Sequence, residues 1–333
     1  TGAFIPIIYG IVAIHGFVNL MGATMLAGVF LLAMGLARMG QLIRFIPVTV
    51  VIGFTNGIAV VIFLAQIKDF FGLQIDNLPA EFFGRIKTLA ANAHTVDLPT
   101  LALASVCFVF LLSYNRLAQR FAFMRRAPGP LVVLIVGTLV SFIFNLPVET
   151  IGSRFNGIPQ ELPNIGFPSL SIHDFGKLIS PAITIALLGA IESLLSARVA
   201  DSQIDDRHDP NQELVAQGLA NIAAPLFGGF AATGAIARTT TNVKTGGRTP
   251  IAGIIHALVL LGIVLIAAPL ASYVPLATLS AIVMVVAVNM GEWHHFLELR
   301  RYTYNYRVIL LVTFFVTVVF DLTIAVELGM VLA

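Results

Sequence analysis

Long apolar runs separated by short polar connectors dominate the chain. Runs near 17–37, 47–67, 97–114, 129–146, 178–200, 250–270, 273–290 and 307–320 approach or reach the length of about 20 apolar residues that carries a helix across the hydrocarbon of a bilayer. Each is read as a span. Residues 1–15, TGAFIPIIYGIVAIH, are apolar but too short to cross, and they read as a half-helix. The run 322–333 reads as a helix cut off by the end of the chain. Between the spans, residues 68–97 are polar, with PAEFFGRIKTLAANAH suggesting an amphipathic helix at the membrane surface, and 147–177 form a Pro- and Gly-rich connector. A polar loop, DSQIDDRHDPNQE, precedes a short helix over 212–226.

One stretch breaks the pattern. From Phe227 to Arg248 the sequence FGGFAATGAIARTTTNVKTGGR places flexible, polar backbone between two apolar segments, with Gly228, Gly229 and Gly234 interrupting and a half-helix resuming near 234–245. Non-helical backbone at membrane depth is tolerated only where protein buries it or where it lines a watery cavity, so a broken helix there marks a binding site. The starts Thr1-Gly2-Ala3 and Thr233-Gly234-Ala235 are alike. They enter from opposite faces, which suggests an inverted repeat.

Composition narrows the class. The chain is 58% hydrophobic and 11% charged, whereas soluble domains carry about 25% charged residues; this predicts an all-α integral membrane protein of many spans. A net charge of +2, scattered between apolar runs, argues against nucleic acid as a partner. Cys107 is the single cysteine and allows no internal disulfide. Assigning alternate loops to one side gathers Arg38, Arg44, the arginines of 116–126, Arg198, Arg207, Lys244, Arg248, Arg300, Arg301 and Arg307. By the positive-inside rule the loops after 38, 114, 200, 245 and 290 are cytoplasmic. The chain opens without Met inside a helical pattern, and it reads as a piece of a longer protein.

The candidate chemistry is that of an anion. A helix start presents unpaired N–H groups and about half a positive charge, and two such starts meeting near the midplane make an anion seat from backbone alone. Arg238 stands one turn into the second half-helix and adds a full charge; the plainer alternative is that it snorkels or pairs with a carboxylate. Glu192, halfway along ITIALLGAIESLLSARVA, is the other charge at depth, with Ser196 one turn later on the same face. Beside Arg238 this carboxylate could exchange a proton as the site fills, hold a fixed ion pair, or contribute with Ser196 to a Na+ site, the last being the weaker reading. No Gly-x4-Gly-Lys-Ser/Thr motif and no nucleophile–base pair occur, so an ATPase or another enzyme is not expected. His294-His295 beside Trp293 lack further ligands at metal spacing, and Asp201, Asp205, Asp206 and Asp209 lack the spacing and glycine of a calcium loop. No cofactor and no metal are therefore expected.

These residues resemble a known family. IESLLSARVAD (191–201) and NQELVAQGLANIAAPLFGGFAATGAIARTTTNVKTGGRTPIAG (211–253), with FIPVTVVIGFTNGIAVVIFLAQIKDFFGL (45–73), APGPLVVLIVGT (127–138) and VPLATLSAIVM (274–284), closely resemble the SulP family of anion transporters. The resemblance implies fourteen segments in two inverted repeats of seven, divided into a core and a gate domain, with two half-helices meeting at mid-membrane. It implies core over 1–38 and 178–270, gate over 39–146 and 271–333, and a connector over 147–177, with the family's first two segments and its cytoplasmic STAS domain outside this sequence. It carries the anion site onto Thr1, Gly2, Ala3 and Phe4 on one side and Gly234, Ala235, Ile236, Ala237 and Arg238 on the other, and cation coupling onto Glu192, with Ser196 beside it. Ala237 stands where relatives often have Ser or Thr, and Glu192 stands where a Na+-coupled bicarbonate relative has Asp, which favours H+ over Na+. The implied protein is a multi-pass cell-membrane homodimer carrying a small inorganic anion, sulfate first, by alternating access. Bicarbonate, a dicarboxylate, or an uncoupled channel or exchanger are the alternatives. Nucleobase transport would want a carboxylate where Arg238 stands.

Overall fold

The structure, a computed structural model, describes residues 4–41, 48–79, 81–120, 127–160, 165–169 and 175–320. Thr1, Gly2 and Ala3 and the run 322–333 lie outside the described residues. The elements are helices α1 (Phe4–His15), α2 (Phe17–Leu36), α3 (Val48–Phe71), α4 (Phe82–Ala91), α5 (Leu98–Arg120), α6 (Gly129–Ile143) and α7 (Ile151–Phe155). After these come α8 (Phe175–Ile204), α9 (Pro210–Leu226), α10 (Ile236–Lys244), α11 (Ile251–Ala271), α12 (Leu276–Met290), α13 (His294–Leu297) and α14 (Tyr304–Val319). Phe17–Leu36, Val48–Phe71, Gly176–Ile204 and Ile251–Ala271 are long and apolar enough to cross a bilayer, and the shorter helices from Leu98, Gly129, Leu276 and Tyr304 are apolar as well.

Chain contacts divide the protein into two compact units, one of residues 1–54, 162–257 and 301–333, the other of 55–161 and 258–300. In the first unit α1 runs into α2 with a single break at Gly16, whose φ of 82° falls in the left-handed region where a side chain is disfavoured. Helix α2 packs on α8 and, most closely, on α9. The closeness comes from glycine. A Cβ on Gly28 would stand 2.7 Å from the Gly218 carbonyl oxygen, and one on Gly218 would stand 2.6 Å from the Leu32 nitrogen. Backbones approach this tightly in membrane proteins because apolar lipid leaves packing, rather than water exclusion, to hold helices together.

Helix α9 starts two residues earlier than the apolar pattern indicates, because Asp209 caps it: its carboxylate accepts from the N–H of Asn211 at 2.8 Å and of Gln212 at 3.3 Å, with Pro210 in the first turn. The acidic loop is therefore partly structural. Asp201 in addition accepts from His208 Nδ1 at 2.7 Å and from the His208 N–H.

The second unit is built on α5, α6 and α12, where Gly137 lets α6 rest on Thr278. Its connector is not structureless. Thr150 and Ser153 form a reciprocal capping box that starts α7. From α7, Arg154 reaches Asp69 at 2.6 Å and also Glu149. Burial opposes the charged guanidinium, but hydrogen bonds to Asp69 and the charges of Asp69 and Glu149 outweigh it and hold Arg154 above its already high ordinary pKa.

Candidate functional site

The broken stretch between α9 and α10 leaves its backbone without helical partners, and α9 supplies them. Asn221, 1% exposed, meets Ala232 with both ends of its amide: Oδ1 accepts from the Ala232 N–H at 2.9 Å, and Nδ2 donates to the Ala232 carbonyl at 2.9 Å. Gln217 donates to the same carbonyl. One turn earlier still, Glu213 accepts from the Ser193 hydroxyl on α8. Glu213, Gln217 and Asn221 recur every four residues and so make one polar stripe down α9. This stripe was visible in the sequence as i, i+4, i+8 spacing inside an apolar helix, but its target could not be read.

Helix α8 supports both half-helix starts. The Thr233 hydroxyl donates to the Gly189 carbonyl at 2.9 Å, and a Cβ on Gly234 would stand 3.1 Å from the Ser193 Cα and 3.2 Å from the Ser196 Cβ. Farther along, Ser196 Oγ and Thr239 Oγ1 lie 2.7 Å apart, and Gln203 donates to Thr240 at 3.3 Å. These contacts run in register, so α10 lies parallel to the second half of α8. On the other side Phe4, the first residue of α1 and 1% exposed, brings its Cζ within 3.8 Å of where a Cβ on Gly189 would stand. The starts of α1 and α10 thus come to one stretch of α8, residues 189–196. Gly189, Glu192 and Ser196 stand at i, i+3 and i+7, on one face of that helix. Glu192 is half-buried at the level of the α10 start and already has an interaction partner.

Of the residues marked by sequence, Phe4, Glu192, Ser196 and Gly234 are therefore brought together around α8. Ala235 is the residue before α10 and Ile236 its first, which leaves the opening N–H groups of the helix without partners four residues back. Ala237 follows within the helix. Thr1, Gly2 and Ala3 are not described. Arg238 lies two residues into α10, about 3 Å of helical rise from its first residue. Its side chain is exposed, and its guanidinium donates to Nε2 of His256 on α11. Sequence reasoning did not weigh His256. Its signal was plain: it is the single polar side chain in the 21 residues of α11, IAGIIHALVLLGIVLIAAPLA.

Other features lie apart from this arrangement. A cavity of about 390 Å³ between α2 and α8 is lined by Phe30, Ala33, Met34, Ile183, Ala186 and Leu187 among others, an apolar wall that offers an anion no partner. In the second unit, Glu292, His294 and His295 bring their ligand atoms within 4.8 Å of one another, so Glu292 is a third potential ligand beside the two histidines.

Comparison with known proteins finds relatives in sequence and in fold. Residues 7–313 match the family model described as "Sulfate permease family". The chain is 43% identical to the "Putative sulfate transporter YvdB" of Bacillus subtilis (strain 168), over 100% of this chain and 62% of that protein. It is 32% identical to the "Bicarbonate transporter BicA" of Picosynechococcus, over 93% of this chain and 53% of that protein. Among solved structures, the transmembrane domain of a cyanobacterium bicarbonate transporter BicA matches with a TM-score of 0.86 and 29% identity over 98% of this chain and 83% of that one. The murine Slc26a9 anion transporter in its inward-facing state matches with a TM-score of 0.84 over 95% of this chain and 52% of that one; at 22% identity it speaks for the fold alone. The chain spans roughly half to three fifths of the length of the curated relatives it matches.

Proposed function

We propose a function for this chain on an established premise: it belongs to the sulfate permease family, a family of transporters and not of enzymes. Its fold is the all-α, seven-plus-seven inverted-repeat fold of multi-pass membrane transporters. On that premise the chain forms the substrate-carrying part of a secondary active transporter of a small inorganic anion, with sulfate the first candidate. The observation that carries this reading is the convergence of the starts of α1 and α10 on residues 189–196 of α8, with Arg238 within one turn of the second start. N–H groups and a guanidinium favour negative charge, and a tetrahedral oxyanion can accept from several of them at once.

In this proposal the anion touches Thr1, Gly2, Ala3 and Phe4 from one side and Gly234, Ala235, Ile236, Ala237 and Arg238 from the other. Glu192, with Ser196 on the same face, takes and releases the coupling proton. A carboxylate at the α10 start repels an incoming anion when ionised and tolerates it when protonated, so the anion and the proton favour each other's binding. The core, residues 1–38 and 178–270, moves as a body against gate helices within 39–146 and 271–333, in a homodimer whose loops after 38, 114, 200, 245 and 290 face the cytoplasm.

Bicarbonate is the second reading, favoured by the likeness to bicarbonate transporters in sequence and in fold. Uptake of radiolabelled sulfate into proteoliposomes of the full-length protein, with and without an inward proton gradient, tests both. Proton-stimulated sulfate uptake that excess bicarbonate leaves intact supports the first reading. Uptake abolished by equimolar bicarbonate supports the second, and uptake indifferent to the gradient removes the coupling role of Glu192.

A further inference from the structure

The Arg238–His256 contact fixes a protonation state. A guanidinium has donors and no acceptor, so for Arg238 to bond Nε2 of His256 that nitrogen must offer its lone pair and the ring proton must sit on Nδ1. A protonated imidazole has no lone pair left on either nitrogen. The same contact then becomes two donors and two positive charges facing one another, and it opens. The setting adds to this. His256 stands alone as a polar side chain on α11, and ionisable groups at membrane depth are costly unless they act. Both side chains are exposed, so neither is locked by packing and the guanidinium is free to swing once released.

We propose that His256 is a positioning residue for Arg238 and a proton-operated latch on the anion seat: neutral, it draws the guanidinium to α11; protonated, it releases the guanidinium to the α10 start, where the anion binds. The inference rests on the anion-seat reading above and adds a second protonatable group beside Glu192. The charged and titratable groups around the pair are few. On α10 these are Arg238 itself and, toward its far end, Lys244; on α8, packed against α10, Glu192 lies on the facing side; on α1, packed against α8, they are Tyr9 and His15. Glu192 is the one of these with a negative charge near the released guanidinium. It competes with the anion when ionised, which makes the two titrations act in the same direction. Acidification therefore strengthens anion binding.

Equilibrium binding of radiolabelled sulfate to the purified full-length protein from pH 8 to 6 tests this. The wild type is expected to tighten as pH falls, by at most tenfold per unit for each linked proton. His256→Gln keeps an acceptor near the Nε2 position that cannot be protonated in this range. It should bind as weakly as the wild type at pH 8, with the remaining pH response being that which Glu192→Gln removes. His256→Leu has no acceptor and should bind at pH 8 more tightly than the wild type at pH 8, short of the wild type at pH 6 only by the response that Glu192→Gln removes. This opposition of two variants of one exposed residue is not the signature of a merely structural role. If both variants keep the wild-type pH profile, or both weaken binding equally, the latch is overturned and the anion seat stands. If Arg238→Ala leaves sulfate affinity unchanged, the seat itself fails, and the latch with it.

Discussion

Replacing Asn221 with Leu removes the support of the broken stretch while keeping the branched outline of the side chain. Asn221 is 1% exposed and makes three hydrogen bonds, two to Ala232 and one to the Gln217 carbonyl at 3.0 Å. The losses differ in kind. The Ala232 carbonyl still receives Gln217, and the Gln217 carbonyl belongs to a helix that satisfies it, so those two bonds cost only their small net contributions of about 0.5–1.5 kcal/mol each. The Ala232 N–H, on a residue itself exposed but facing the buried side chain at 221, is left against a methyl group, at about 1–3 kcal/mol. The sum is roughly 2–6 kcal/mol, on the order of a 5–10 °C fall in melting temperature for a chain of this size. The assay is thermal unfolding of the full-length protein in detergent, beside Gln217→Leu, which removes one of two donors to a carbonyl and should cost about 1 kcal/mol. Sulfate binding should weaken in Asn221→Leu at temperatures well below its transition, because Ala232 leads directly into the α10 start. If Asn221→Leu melts no lower than Gln217→Leu, the view that α9 holds the break in place is wrong.

The glycine contacts give a paired expectation. Gly218→Ala puts a methyl 2.6–2.7 Å from backbone atoms of α2 and should cost about 1–3 kcal/mol by forcing the helices apart, whereas Gly253→Ala, with nothing within 4 Å, should be neutral or stabilise α11 by up to about 1 kcal/mol; melting curves of the two variants check this. Arg154→Ala should lower stability by about 1–2 kcal/mol through loss of the ties to Asp69 and Glu149, which are partly open to solvent. Because the folded protein holds the arginine above its ordinary pKa, its contribution is fully present below that value and is lost only in strong alkali. The stability difference between Arg154→Ala and wild type should therefore stay flat from about pH 6 to 9. Thr233→Val, which removes the hydroxyl bonded to Gly189 at nearly constant shape, should cost about 1 kcal/mol and weaken anion binding more than it lowers melting temperature.

Much of the fold was legible because a bilayer constrains sequence so strongly. The short runs that became α1 and α10 were recognisable from length alone, and the long runs became α2, α3, α8 and α11 within a few residues of their apolar limits. The start of α9 was missed because a cap, Asp209 followed by Pro210, lies outside the apolar pattern. Helix α7 was missed because its five residues are too few to show a period and owe their existence to the Thr150–Ser153 exchange. Sequence also singled out Gly234, Arg238 and Glu192, since charge and broken backbone are anomalies inside apolar runs. What it did not disclose were partners: Asn221 and Gln217 for Ala232, and His256 for Arg238. The first pairing ties α9 to the unwound stretch that follows it and the second joins separate helices, and no local period encodes either.

The account turns on where the anion sits. Anomalous scattering from crystals of the full-length protein soaked with selenate, an isostere of sulfate, locates it directly. The account predicts a peak within hydrogen-bonding distance of the N–H groups at the start of α10 and of the Arg238 guanidinium. A peak elsewhere in the protein, in crystals whose protein transports selenate, contradicts it.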